Sequence, residues 1–291
     1  MAFNVFLCYH YNGDCMDIKI DDINNDISND VKKKFDFKKV LLIICFILIC
    51  IIFVIIYSRY KATSGLKVKE YKFTDSSLPS NFHGVKLVQL SDIYFGNTVD
   101  IDYLKKIISS VNELDPDIVV FTGDLIDKDL DNDTKEEIVS ILSSITSTIG
   151  KYSIKGNSDN DFYDDIMKSS GFTILNNDSV ELYYKGNTPI VIGNGDFSSN
   201  LFSILLVHEP DSISNYSNSF NLILAGHSLG GQINLPIIRN LFLPNGSKKY
   251  YNGFYEVNNS KLYVSSGIGT TSFKYRFNNK PSISLFRLTS Y

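Results

Sequence analysis

Beyond Cys50 the chain contains no cysteine. Cys8 and Cys15 sit near the N-terminus and Cys45 and Cys50 in an apolar run, so no disulfide frames the main body. Redox compartment is therefore not legible from cysteine usage. Charge of one sign is equally scarce: the formal net charge is −4 over 291 residues, with 21% charged. A chain without a basic surplus does not select for a phosphate backbone, and nucleic acid is not an expected partner. No internal repeat is present. Asn, Ser, Ile and Lys are abundant, so matches to N-x-S/T such as Asn215-Tyr216-Ser217 arise by chance and carry no weight. Histidine is the most informative shortage. The chain has four, His10, His83, His208 and His227, and none follows His227.

What is present begins with an apolar segment. Residues 40–57 contain no charge, proline or glycine. At about 1.5 Å rise per residue they cover most of a bilayer core. The residues before them are too many for a signal n-region, and no small-x-small cleavage pattern follows. The segment reads as a single-pass transmembrane helix. Lys32, Lys33, Lys34, Lys38 and Lys39 crowd its N-terminal side, against the sparser Arg59, Lys61, Lys67 and Lys69 after it. The positive-inside bias then places the tail in the cytoplasm and the main domain outside the cytoplasm. The expected organisation is a cytoplasmic tail with a basic juxtamembrane segment (1–39), a transmembrane helix (40–57), a linker with an edge strand (58–80) and a folded domain (81–291). In the tail, Cys8-x-His10 offers two ligand types, but an isolated pair makes no metal site.

Within 81–291, hydrophobic 3.6-residue and continuous apolar patterns alternate. Strands are expected at 85–90, 118–121 and 151–155. Helices are expected around Leu104, Ile107, Ile108, Val111 and Leu114, around Ile138, Ile141, Leu142 and Ile145 with Asp133 or Thr134 as N-cap, and at 161–170. After Tyr183 strands dominate, at 189–192, 203–207, 222–225, 261–265 and 282–288. Alternation first and strands later predicts an α/β fold, a two-sheet sandwich.

Gly226-His227-Ser228-Leu229-Gly230 fits the G-x-S-x-G elbow of serine hydrolases. That chemistry takes Ser, acid and His in that order, and no histidine follows Ser228. Ser228 thus lacks its base, and the α/β-hydrolase reading is the weakest of three. His227 needs another role. Five strand ends carry polar loops: Ser91-Asp92-Ile93-Tyr94, Thr122-Gly123-Asp124, Gly156-Asn157-Ser158-Asp159, His208-Glu209 and Gly226-His227-Ser228-Leu229-Gly230-Gly231-Gln232. Loops at the carboxyl ends of strands converge on the ligand crevice of open α/β sheets. Carboxylates, an amide and imidazoles gathered there suit Mn, Fe or Zn.

This ordered set resembles the calcineurin-like metallophosphoesterases, and among them the membrane-anchored bacterial branch. The resemblance runs from about Lys67 to Leu288. It implies a centre of two divalent metals about 3.5–4 Å apart that activates water against a phosphoester. Carried over by position, Asp124 bridges the metals, Asn157, His208 and His227 complete the second site, and Asp92 belongs to the first. Tyr94 and Leu229 stand where the family has further histidine ligands, and Ser158 where it has a histidine beside the scissile phosphate. Leu229 has no donor, and a tyrosine of ordinary pKa near 10 binds a metal poorly. The resemblance therefore implies one tightly bound metal, at the second site, and a weak or empty first site. A serine does not replace a charged imidazole as acid to the leaving oxygen, a loss of about 10²–10⁴ in rate. Arg276 matches a family arginine and is expected either against phosphate or on the surface. Two functions follow: a membrane-anchored phosphoester hydrolase of reduced or altered activity on a lipid-linked or envelope substrate, or a non-catalytic relative that binds one metal and a phosphate-bearing ligand. His10 and His83 read as ordinary residues.

Overall fold

The computed structural model describes residues 7–11, 14–18 and 37–291. It divides into units 1–54 and 55–291. In the first, β1 (Leu7–Tyr11) pairs antiparallel with β2 (Asp14–Ile18). Lys32, Lys33 and Lys34, and the side chains of Cys8 and His10, lie outside what is described. Helix α1 (Phe37–Ile56) buries none of its residues, and a π-helical turn (Tyr57–Lys61) extends it. The helical stretch of 25 residues is long and apolar enough to cross a membrane. In hydrocarbon each backbone group must find its partner within the segment, and this run of Ile, Leu, Phe and Val lacks the proline or glycine that would interrupt it.

The second unit is an α/β sandwich of two six-stranded mixed sheets. One sheet orders β3 (Lys67–Thr74), β14 (Ser282–Thr289), β4 (Lys86–Leu90), β5 (Ile118–Phe121), β6 (Gly150–Ser153) and β7 (Thr173–Ile174). The other orders β12 (Gly253–Val257), β13 (Ser260–Val264), β11 (Leu222–Ala225), β10 (Ser203–Val207), β9 (Ile190–Gly193) and β8 (Ser179–Leu182). Side-chain alternation along each strand sets the layers. In β5, Ile118 and Val120 point into the core between the sheets, with Leu87, Ile204, Leu206, Leu222, Leu224 and Phe286. Val119 and Phe121 point the other way. There they meet α2 (Ile101–Glu113), α3 (Asn132–Ser143) and α4 (Phe162–Ser169), through Leu104, Ile107, Val111, Ile138 and Ile166 among others. Strands buried on both faces explain why 118–121, 203–207 and 222–225 read as unbroken apolar runs.

Three local expectations are corrected. The cap of α3 is Asp131, whose carboxylate accepts from the Thr134 amide at 2.8 Å, not Asp133 or Thr134. Several polar residues there suit the role, and only the path of the backbone decides which one reaches a free N–H. The third strand ends at Ser153 rather than 155, which releases residues 154–157 toward the site. Strands β7, β8 and β12 were not legible: they are short, or half-exposed sheet neighbours without an apolar run.

Candidate metal centre

Strands β4, β5 and β6 run parallel, as do β9, β10, β11 and β13. Parallel pairing sends their carboxyl ends to one edge of each sheet, and the polar loops leave from there. The loops are held in unusual backbone conformations. Asp92 (φ 55°), Tyr94 (47°), Asp124 (61°), His227 (65°) and Leu229 (50°) all occupy the left-handed region. Each such residue costs of order 1–3 kcal/mol, and such strain collects at functional sites. Close approach explains the neighbouring glycines. A Cβ on Gly156 would lie 2.2 Å from Asp124 Oδ1, and one on Gly123 2.6 Å from His208 Nδ1.

Asp124, His208 and His227 meet here. Each offers a ligand atom, all within 4.8 Å of one another, and all three are buried. His208 Nε2 lies 3.1 Å from Asp124 Oδ2 and 3.2 Å from His227 Nδ1. The outward nitrogens are fixed by carbonyls: His208 Nδ1–H donates to Thr122 O at 2.7 Å, and His227 Nε2–H to Asn245 O at 2.6 Å. A carbonyl can only accept, so each far nitrogen carries a proton. The near nitrogens then point inward, His208 Nε2 to Asp124 and His227 Nδ1 to His208 Nε2, the orientation in which ligating imidazoles are held by an outer hydrogen bond. This donor set fits a divalent transition metal.

Electrostatics bind the three together. Burial disfavours a charge on His208, but its hydrogen bond to the Asp124 carboxylate outweighs that and lifts its pKa to about 9. Asp124 is pulled below its ordinary value: burial opposes this, but bonds from His208, Tyr94 and the Ser158 amide prevail. Burial, with protonated His208 nearby, pushes His227 down. One imidazolium therefore serves the pair.

The other expected residues fall around this cluster. Asn157 is exposed, and its amide donates to Glu209 Oε1 at 3.1 Å. Its neighbour Ser158 donates its backbone N–H to Asp124 Oδ1 at 2.9 Å. Asp92 is fully buried but not among the residues that converge within 4.8 Å. It accepts from the His227 amide at 2.9 Å and from Ser91 Oγ at 2.5 Å, so it braces the loop that carries His227. Burial raises its carboxyl to about 7. The Tyr94 hydroxyl bonds directly to Asp124 Oδ2 and lies 3.3 Å from Ser158 Oγ. Burial, then the Asp124 charge, pushes the phenol well above its ordinary pKa, so it stays a neutral donor rather than a phenolate ligand. Leu229 is buried, and its Cδ2 would lie 2.8 Å from a Cβ on Gly267.

Two readings of single residues are overturned. Arg276 does not lie on the surface, and its guanidinium is turned onto backbone carbonyls. It is fully buried, with Nε and Nη2 on Gly269 O at 2.9 and 2.7 Å and Nη1 on Ser266 O at 3.0 Å. A fixed guanidinium fork satisfies several carbonyls of a tight loop at once. Ser228 Oγ donates to Tyr251 O at 2.6 Å and accepts from the Gly230 amide. Its proton is committed to the backbone, which removes the serine-nucleophile reading.

Asp159 was missed. Its carboxylate accepts four backbone N–H groups, from Gly156 (2.8 Å), Asp124 (2.9 Å), Leu125 (2.7 Å) and Ile126 (3.2 Å). It ties the loop after β5 to the loop after β6. The only sequence signal is a Gly-x-x-Asp spacing, which any turn can carry.

Residues 85–231 match the family described as calcineurin-like phosphoesterase. An uncharacterized metallophosphoesterase of Bacillus subtilis, YkuE, is 33% identical over 255 residues, 80% of this chain and 89% of that protein. Phosphodiesterase YaeI of Escherichia coli is 25% identical over 237 residues, 74% of this chain and 84% of that one. UDP-2,3-diacylglucosamine pyrophosphatase LpxG of Chlamydia trachomatis is 25% identical over 289 residues, 72% and 86% respectively.

Proposed function

The chain belongs to the calcineurin-like phosphoesterase family, and from that premise we propose that it is a membrane-anchored phosphoester hydrolase built around one divalent cation. Asp124, Asn157, His208 and His227 would hold that cation, with Asp92 beside a weak or empty first site. A divalent cation there would polarise a phosphoryl oxygen and acidify water. The observation that carries the reading is the meeting of Asp124, His208 and His227 with both outer imidazole nitrogens tied to carbonyls.

The remaining residues define an altered chemistry. The neutral Tyr94 hydroxyl, at a position where the resemblance puts a histidine ligand, donates to Asp124 Oδ2 instead. Leu229 adds no donor there. Ser158 offers a hydroxyl of high pKa instead of an acid, so departure of the leaving group goes unassisted. Reactive esters such as aryl phosphodiesters are then the substrates of choice. The apolar helix tethers the domain to a bilayer, with the tail in the cytoplasm and the main domain outside it. LpxG is by name a pyrophosphatase of a diacylated sugar nucleotide, and a lipid-linked phosphoester fits a tethered relative.

The bond between Tyr94 and Asp124 also favours a second reading: a non-catalytic relative that binds one cation and a phosphate-bearing ligand. One experiment separates the two. Purified protein is analysed for bound metal and assayed with p-nitrophenyl phosphodiesters and Mn²⁺. About one equivalent with measurable turnover supports the hydrolase. One equivalent with phosphonate binding and no turnover supports the binder. Two equivalents overturn the single-cation centre.

A further inference from the structure

Resting on the hydrolase reading, we infer that a small apolar pocket beside the metal centre accepts an aliphatic chain of the phosphoester. A cavity of about 290 Å³ opens next to the site. Tyr94 and His227 line it, with Leu229, Leu241, Leu243 and Phe273 among the other lining residues. The pocket therefore shares His227 with the metal centre and Tyr94 with the Asp124 carboxylate.

Three observations specify the occupant. First, the polar side chains at the pocket are spent elsewhere. Gln232 donates its amide to the carbonyls of Phe273 and Tyr275, and its oxygen faces Thr271 Oγ1 at 3.4 Å. Ser228 is bonded to Tyr251 O. The Gln232 amide and the Ser228 hydroxyl are thus engaged with the backbone rather than turned to a ligand, whereas a methylene chain requires no polar partner. Second, the volume lies just below the roughly 300–1,000 Å³ of ordinary ligand sites, so it takes one chain rather than a whole lipid. Third, its mouth is apolar and open. Leu241 is 80% exposed and Phe273 46%. Single exposed hydrophobics are unremarked on a surface, but a cluster at a cavity mouth marks a binding site.

Leu229 links the two halves of the site. Its carbonyl accepts from Asn279 Nδ2 and lies 3.5 Å from Arg276 Nη1, which fixes the residue in its left-handed conformation. By position it replaces a metal-binding histidine, and its side chain becomes a wall of the pocket. One substitution thus removes a ligand and adds apolar surface beside the phosphate.

The test uses the full chain in lipid nanodiscs with Mn²⁺. Methyl and hexyl p-nitrophenyl phosphate are compared; water adds at phosphorus and p-nitrophenolate leaves, giving the alkyl phosphate. Wild type is expected to favour the hexyl ester in kcat/KM by at least about tenfold. The double variant Leu241→Glu/Phe273→Glu, at exposed positions, is expected to bring that ratio below about twofold. Leu241→Met should keep the preference. Calorimetric titration with hexylphosphonate and methylphosphonate reads the pocket without turnover. Tighter hexylphosphonate binding that the double variant abolishes, with neither ester hydrolysed, upholds the pocket and defeats the hydrolase reading. Turnover of both esters without chain preference, or a preference unchanged in the double variant, overturns the pocket and leaves the hydrolase standing.

Discussion

His208 is the residue on which the chemistry of the centre turns. With its pKa lifted to about 9, it holds a proton at neutral pH that lies between Asp124 and His227. A cation must displace that proton, so apparent affinity should climb by about tenfold per pH unit below about pH 9 and level off above it. Mn²⁺ titrations between about pH 6.5 and 9 measure this, and a flat profile counts against the arrangement. The sign for the metal-free protein is opposite. A raised pKa contributes stability that is complete below 6.5 and is lost as pH rises through about 9. Tyr94, Ser158 and Leu229 make the complementary case. Tyr94→His, Ser158→His and Leu229→His together should bring bound metal from about one to about two equivalents and raise phosphodiester turnover by about 10²-fold or more. Elemental analysis beside the assay decides it; an unchanged metal content removes the account of these positions.

The loops behave as one assembly at the scale of elements. Asp159 gathers N–H groups from both sides of Asp124, and Gly156 admits the Asp124 carboxylate where a side chain would collide with it. Arg276 does the same for the loop around Gly269, whose amide donates to Asp92 O at 2.7 Å. Asp159→Ala leaves four backbone donors without that acceptor. The expected loss is about 2–4 kcal/mol in urea unfolding, together with weaker metal binding, because the turn that presents Asp124 relaxes. Stability and affinity unchanged from wild type would show that water satisfies these groups instead.

For the whole molecule the first expectation is attachment. The 25-residue apolar stretch should keep the protein in membranes through high-salt and carbonate washes, and deletion of residues 1–57 should release it; extraction of the intact chain by salt alone would rule out a spanning helix. The α/β sandwich, its central strands and its helical faces were legible in the sequence, because burial on both sheet faces or along one helical stripe writes a period into the chain. Short or half-exposed strands such as β8 and β12 leave no such period. At the site, five polar loops in order gave the candidates, since ligand chemistry restricts residue types. The sequence by itself determined which donors the chain possesses and that no histidine stands behind Ser228. Only the tertiary structure decided what each donor touches. It spent Arg276 on carbonyls, made Asp92 a brace and turned Leu229 toward a pocket, because such contacts depend on backbone turns and on partners far apart in the chain, which residue identity does not encode.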